Sequence, residues 1–161
     1  MPEVVISNTS PIFYLHRLRR LDLLQKLYQK IIVPQAVVAE LEVGRRQGED
    51  VPNIDNYEWI ETRSIQSPQI IGLSTDFGPG ETEVLALALE GAGSLVIIDE
   101  KLARKIARLR DLRVTGTAGV LLRAKQEGHI LAVKPSLDRL EEIQFHLSDS
   151  VRTLILSKAG E

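Results

Sequence analysis

Four side chains in this sequence have the chemistry to bind a divalent metal ion: Asn8, Glu40, Glu81 and Asp99. Carboxylate and amide oxygens are the ligands that hard cations prefer, and such a cation offsets the repulsion between neighbouring carboxylates. Because the chain has no cysteine and only three scattered histidines, Mg²⁺ or Mn²⁺ suits it better than zinc. A site of this kind activates water and stabilises charge on a phosphodiester, so these residues point to phosphodiester hydrolysis.

Each of these side chains also has a purely structural explanation. Asn8 or Ser10 could cap the helix that follows the first apolar run, and Asp99 could cap the helix after its own strand. Glu40 could be a surface glutamate that pairs with the arginines following it in the same helix. A metal site therefore requires that all four residues lie near the same edge of one sheet.

Glu81 is the most informative of the four when taken alone. In the segment GPGETEVLALALEG it shares a helix face with Val84 and Leu85, three and four residues later, and this face is expected to pack inward. Glu83 lies on a different face of the same helix. A carboxylate in a first turn stabilises the helix dipole, but a carboxylate that faces inward also needs a partner for its charge.

Short β-branched runs alternate along the chain with segments of helical spacing. Strands are predicted at residues 4–6, 31–33, 95–98 and, more weakly, 112–114. Helices are predicted from Asp22 onward and over residues 34–43, 81–90, 101–110, 118–127 and 149–158. Residues 57–65 are expected to hold a short strand, and residues 67–80 are expected to form a loop.

This alternation predicts one α/β domain over residues 1–161, a three-layer α/β/α sandwich. Strands separated by helices pair in parallel through right-handed crossovers. Strands that are apolar along their whole length belong to a sheet covered on both faces. Ligands of such folds bind beyond the carboxyl ends of the strands, and Asn8 and Asp99 occupy two of those junctions.

The helix predicted after Asp99 is rich in positive charge. Its cations are Lys101, Arg104, Lys105 and Arg108, which could contact the phosphates of a nucleic acid. For any one of them a solvated helix face is the simpler explanation. The net charge of the whole chain is only −2, so a general attraction to nucleic acid is not expected.

Targeting and membrane segments are not evident. No initial segment combines a basic start with an apolar run of signal-peptide length, and no uncharged apolar stretch is long enough to cross a bilayer. The expectation is a soluble cytoplasmic protein.

The chain resembles the PIN domain, the metal-dependent nuclease fold of VapC-type toxins, and within it a prokaryotic PIN-like branch. The segments that carry the resemblance occur in the family's order and cover most of residues 4–128. They are VVISNTSPIFYL, RLDLLQKLY, IIVPQAVVAEL, GPGETEVLALALE, LVIIDEKLARKIA and VTGTAGVLLRAKQEG.

The resemblance implies a single-strand-specific endoribonuclease that hydrolyses RNA with a metal-activated water. It also implies the toxin of a toxin–antitoxin pair, with a small antitoxin protein as partner and a homodimer as its assembly. Apolar residues that could serve such an interface are Ile12, Phe13, Leu15 and residues 154–156, although for each of them the core is the preferred interpretation.

The resemblance also assigns roles to individual residues. Glu40 corresponds to the acid on the helix after the second strand, Glu81 to the acid that opens the middle helix, and Asp99 to the acid after the following strand. Supporting positions are Thr9 or Ser10 as the small hydroxyl, Glu83 or Glu100 as substitute acids, and Thr115 and Thr117 in the late loop, where many PIN domains keep a fourth acid.

Asn8 is the main departure from the family pattern, which has an aspartate at this position. An amide oxygen can ligate a hard cation but brings no charge, so metal affinity should fall. The alternative function is therefore a catalytically weakened PIN-like domain that acts by binding RNA or protein. A nucleotide-binding α/β domain of another kind is the third possibility, and the lack of a glycine-rich loop after the first strand counts against it.

Overall fold

The computed structural model describes residues 4–66, 78–91 and 94–161. Within them, five strands form one parallel sheet in the order β3-β2-β1-β4-β5. The strands are β1 Val4–Ser7, β2 Ile31–Pro34, β3 Ile60–Arg63, β4 Ser94–Ile97 and β5 Arg113–Thr115. All five predicted strands are confirmed, including the short one expected within residues 57–65.

Eight α-helices connect and flank these strands in the described part of the chain. They are α1 Thr9–Arg17, α2 Asp22–Tyr28, α3 Gln35–Arg46, α4 Pro79–Glu90, α5 Lys101–Leu109, α6 Thr117–Gln126, α7 Lys134–Glu142 and α8 Asp149–Lys158. A single 3₁₀ turn, Ile54–Asn56, precedes β3.

The sheet is the middle layer of a three-layer α/β/α sandwich, as predicted. In β2 and β4 every residue is buried, so neither face of these strands is open to solvent. β1 lies at the centre of the sheet, where Ile6 pairs with Ile32 on one side and with Val96 on the other. The carboxyl ends of β2, β1 and β4 consequently meet at one edge.

Helix α4 differs from the amphipathic helix that its spacing predicted. Val84, Leu85, Ala86, Leu87 and Ala88 are all buried, because α4 packs against α3 and α5 as well as the sheet. The helix is therefore buried on more than one side, and the expectation that only the face of Glu81 packs inward was wrong.

Three other expectations need correction or completion. Helix α7 was not predicted, although Leu137 and Leu140 bury one face of it. Pro34 ends β2 and flanks α3, rather than lying in its first turn. The loop expected at residues 67–80 lies for the most part outside the described residues.

Some of the apolar residues that were considered for both core and interface are buried, and others are exposed to solvent. Ile12 and Leu15 are fully buried. Leu154 is 52% exposed, and no residue of α8 is buried. The preference for the core was therefore wrong for Leu154.

The carboxylate of Glu161 connects the last elements of the chain. It accepts hydrogen bonds from the backbone N–H groups of Val133 (2.7 Å) and Lys134 (3.0 Å), at the start of α7. It also pairs with Lys125 Nζ of α6 at 3.0 Å. The residues that follow α8 are thereby attached to both α6 and α7.

Among the helices described, none combines the length and the apolar character that a membrane span requires.

Candidate functional site

Asn8 lies directly after β1, at the centre of the carboxyl edge of the sheet. Its backbone N–H donates to the carbonyl oxygen of Ile97 at 2.9 Å, which fixes the residue beside β4. The residue is only 3% exposed, and its side chain does not cap α1. The capping explanation for Asn8 is thus excluded, and its buried Oδ1 atom has no hydrogen-bond partner among the residues that the structure describes. A buried oxygen without a protein partner is rare and is normally satisfied by an ordered water or an ion.

Glu40 projects from α3 towards the same edge. Its Oε2 accepts a hydrogen bond of 2.5 Å from Thr9 Oγ1, and its Oε1 accepts one of 2.9 Å from the backbone N–H of Gly80. The arginines that follow in α3 pair with Glu42 instead. Glu40 is therefore held in the site by two donors from α1 and α4, and the interpretation as a surface ion pair is wrong.

Gly80 leaves an opening between Asn8 and Glu40. A methyl carbon placed on this glycine would lie 2.8 Å from Asn8 Oδ1, 2.8 Å from Glu40 Oε1 and 3.0 Å from Glu40 Oε2. An amide oxygen and a carboxylate thus converge on one small volume beside the amino end of α4. The partial positive charge of that helix end favours negative groups there.

Asp99 is held by three donors at the end of the segment that follows β4. Ser10 Oγ donates to Oδ2 at 2.8 Å, Thr117 Oγ1 donates to Oδ2 at 2.7 Å, and Thr117 N donates to Oδ1 at 2.8 Å. Asp99 therefore does not cap α5. That role belongs to Glu100, whose Oε2 accepts from Ala103 N at 2.6 Å.

The two glutamates of α4 have different surroundings. Glu81 is half-buried in the first turn, and its Oε2 would lie 2.9 Å from a methyl carbon placed on Gly78. Glu83 Oε1 accepts a hydrogen bond of 3.1 Å from the backbone N–H of Ala36. Glu83 therefore binds the amino end of α3. Glu81 is the residue that follows Gly80 in the chain, and its carboxylate lies beside Gly78.

A protein-family profile described as a PIN domain matches residues 4–161. The chain belongs to the PIN-domain family. This confirms the resemblance at the level of the family, although not for the VapC-type branch in particular. No curated protein matches the chain. PIN domains in general depend on divalent metal ions and bind RNA.

The late loop of this PIN domain supplies hydroxyl groups where an acid was considered. Thr117 is completely buried and contacts Asp99. The Thr115 hydroxyl instead lies against Gly119, where a methyl carbon on the glycine would collide with it. Thr117 is thus a direct support of Asp99, whereas Thr115 packs β5 against α6.

The cations of α5 occupy one helical stripe beside Asp99. Lys101, Lys105 and Arg108 are exposed, whereas Arg104 is half-buried and donates from Nη1 to the Ile98 carbonyl at 3.1 Å. Burial lowers the pKa of Arg104, neighbouring Arg108 lowers it further, and Asp99 opposes both effects. These charges can reach a polyanion that approaches the carboxyl edge of the sheet.

Tyr14 is a residue near the site that sequence reasoning missed. Burial raises the pKa of its phenol, and the negative charge of Asp99 raises this pKa further. The available signal was helical spacing, because Tyr14 follows Ser10 by four residues and so lies on the same face of α1.

The residues present fit a hard divalent cation, although the acids do not form a compact cluster. Within residues 4–66, 78–91 and 94–161, no three acidic or histidine side chains are grouped as a metal site. The orphaned Asn8 oxygen and the Glu40 carboxylate share the Gly80 opening, and oxygen donors of this type suit Mg²⁺ or Mn²⁺.

Proposed function

We propose that this PIN domain is a Mg²⁺- or Mn²⁺-dependent endoribonuclease that hydrolyses phosphodiesters of single-stranded RNA. The observation that carries the proposal is the opening at Gly80, into which the buried and unpartnered Asn8 oxygen and the Glu40 carboxylate both face. Amide and carboxylate oxygens directed at one small volume are ligands that a hard divalent cation prefers.

The residues that would hold the cation are Asn8, Glu40, Glu81 and Asp99. When bound, a divalent cation supplies an activated water and stabilises the charge that develops on the phosphodiester. Asn8 and Glu40 provide one neutral and one charged oxygen, so the site carries less negative charge than an all-acid set. Thr9 and the Gly80 N–H orient Glu40, while Ser10 and Thr117 orient Asp99.

The strand of RNA would approach along α5. Lys101, Lys105 and Arg108 are exposed on one stripe of that helix, and Arg104 of the same stripe adjoins Asp99 beside Gly116. Cations that bind the RNA phosphates would position the strand next to the acids at the carboxyl edge of the sheet.

Cleavage of a labelled single-stranded RNA with Mg²⁺, with Mn²⁺ and with a chelator tests the activity. Glu40→Gln should lower the rate by at least about 10- to 100-fold, because even the partners of metal ligands matter to that extent. Glu42→Gln, two residues further along α3, is the matched control and should cleave normally. Equal rates for both variants and the wild type would refute the assignment.

The second candidate is a PIN domain that binds RNA or protein with little catalysis, and Asn8 is the observation in its favour. Here Asn8→Asp is the deciding variant, since it restores the charge of an acid in the same place. A large gain in cleavage and in the Mn²⁺-dependent rise of the melting temperature favours a naturally weakened enzyme. An unchanged or lower rate favours Asn8 as a working ligand.

We also propose a toxin that forms a homodimer and is inhibited by a small antitoxin, on the basis of the family resemblance. Expression of the chain should arrest bacterial growth, and Glu40→Gln should relieve the arrest. Growth that is equally slow with both proteins would contradict a toxic ribonuclease.

A further inference from the structure

Three of the chain's few aromatic residues form a cluster next to the candidate site. Phe13 and Tyr14 are in edge-to-face contact at 5.0 Å, and Tyr14 contacts Phe145 in the same manner at 4.8 Å. The sequence contains only three phenylalanines, three tyrosines and one tryptophan. Tyr14 and Phe145 are partly buried and pack against the hydrophobic core, so Phe13 is the member of this cluster that core packing does not explain.

Arg17 completes this cluster. Its guanidinium carbon lies 4.4 Å from the centre of the Phe13 ring, a cation–π arrangement. Its Nε is buried without a hydrogen-bond partner, and within the described residues no carboxylate neutralises it. We call Phe13, Tyr14, Arg17 and Phe145 the aromatic–arginine patch.

The patch is continuous with the candidate site through one face of α1. Ser10, Tyr14 and Arg17 are spaced by four and three residues, so they lie one above another on the helix. Ser10 donates to Asp99 at 2.8 Å, and the negative charge of Asp99 raises the pKa of Tyr14, in addition to the effect of burial. The patch therefore extends from Asp99 towards the carboxyl end of α1.

Phe13 is not explained by the packing of the protein. Its helical neighbours Ile12 and Leu15 are completely buried in the core, whereas Phe13 is half-buried and stands outside the core cluster of the described residues. A half-buried aromatic ring beside an arginine offers a surface for stacking and a positive charge for a phosphate.

From this arrangement we infer that the aromatic–arginine patch is a stacking subsite for one base of the single-stranded RNA, adjacent to the scissile phosphate. Bases of single strands stack on aromatic rings and on arginine planes, while the backbone phosphate meets the positive charge. A duplex keeps its bases stacked inside, so the subsite also accounts for a preference for single strands. The inference rests on the proposed ribonuclease function.

Binding of two fluorescent strands of equal length and charge tests it, one RNA with normal bases and one with abasic sites. Binding is measured by anisotropy with Ca²⁺, and gels confirm that the strands stay intact. The wild type should prefer the intact strand by about 5- to 150-fold, the range for one stacked base. Phe13→Leu should reduce this preference to near unity, and Phe13→Trp should preserve it.

Tyr57→Leu is the matched control, because Tyr57 forms an edge-to-face pair with Trp59 ahead of β3 and is not a member of the aromatic–arginine patch. It should keep the preference for the intact strand. Circular dichroism of each variant verifies folding, which Phe13→Leu should not disturb.

The outcomes separate the subsite from the proposed function. Cleavage with equal binding of both strands by the wild type would overturn the stacking subsite and leave the ribonuclease intact. If Phe13→Leu keeps the preference for the intact strand over the abasic strand, the stacking subsite does not lie at the aromatic–arginine patch. A wild type that neither cleaves nor binds RNA would overturn both, and would point to a protein partner for the patch.

Discussion

Gly80 decides whether Asn8 and Glu40 can share a ligand. Replacement by Ala places a methyl carbon 2.8 Å from an oxygen of each residue, where it would occupy the opening between them. Gly80→Ala should abolish the Mn²⁺-dependent rise in melting temperature and reduce RNA cleavage. Calorimetry with and without Mn²⁺ measures the first effect.

Gly91→Ala is the matched control for this prediction. Gly91 follows the last residue of the same helix, and the nearest atom to a methyl carbon there, among the described residues, is Ser94 Oγ at 3.9 Å. It should leave both the metal-dependent stabilisation and the cleavage unchanged. Metal-dependent stabilisation that survives in Gly80→Ala would show that the cation binds elsewhere.

The residue types in the site were readable from the sequence, but their partners were not. Asn8 and Asp99 follow apolar runs, which predicts positions at the ends of strands. Thr117 lies 18 residues after Asp99 and reaches it only because β4 and β5 pair side by side. Gly80 was not predicted for the same reason, since it is far from Glu40 in sequence. The opening beside it forms only when α3 and α4 pack together.

At the scale of elements, α5 depends on the cap that Glu100 provides. The Glu100 carboxylate accepts from Ala103 N at 2.6 Å. Glu100→Ala should lower the free energy of unfolding by about 0.5–2 kcal/mol, the usual cost of losing a cap. Denaturant unfolding measures it, with Glu42→Ala in the interior of α3 as the control. Equal stability of Glu100→Ala and the wild type would contradict the capping role.

The exposed stripe of α5 predicts a specific salt dependence of RNA binding. Lys105→Gln should reduce the slope of log affinity against log salt by about 0.7, since one phosphate contact of a single strand is lost. Lys26→Gln should not change the slope, because Lys26 lies on α2 and pairs with Asp22. Binding titrations over a range of salt concentrations test this, and identical slopes for the two variants would refute a role for the stripe.

Elements were predictable where one physical signal dominates. The β-branched runs identified the strands, and α8 begins and ends at the predicted residues 149 and 158. Helix α7 was missed because few apolar residues mark its face. The orientation of α4 was missed because neighbours on several sides bury a helix whose composition is apolar nearly all round.

At the scale of the whole molecule, Glu161 predicts a loss of stability in acid. Hydrogen bonds from the Val133 and Lys134 backbone, followed by Lys125, lower the pKa of this carboxylate to about 2. A pKa lowered by folding stabilises the protein above the unfolded-state value of 4.5, and this contribution disappears as the pH falls towards 2.

Comparison with Glu161→Gln isolates this contribution. The wild type should be more stable than the variant at pH 7, and the difference should shrink between about pH 4.5 and pH 2. Urea unfolding at a series of pH values measures the difference. A gap that stays constant down to pH 2 would show that the charge of Glu161 does not stabilise the attachment of α6 and α7.

The adjacent hydroxyls of Thr9 and Ser10 have a consequence for how the two acids respond to change. Each hydroxyl donates to a different acid, Thr9 to Glu40 and Ser10 to Asp99, from the same turn of α1. A displacement of that turn moves both donors together, so the carboxylates are coupled although they belong to opposite sides of β1. Substitutions at Glu40 and Asp99 therefore do not act independently. In a double-mutant cycle, the change in the free energy of unfolding of the double variant should differ from the sum of the two single changes.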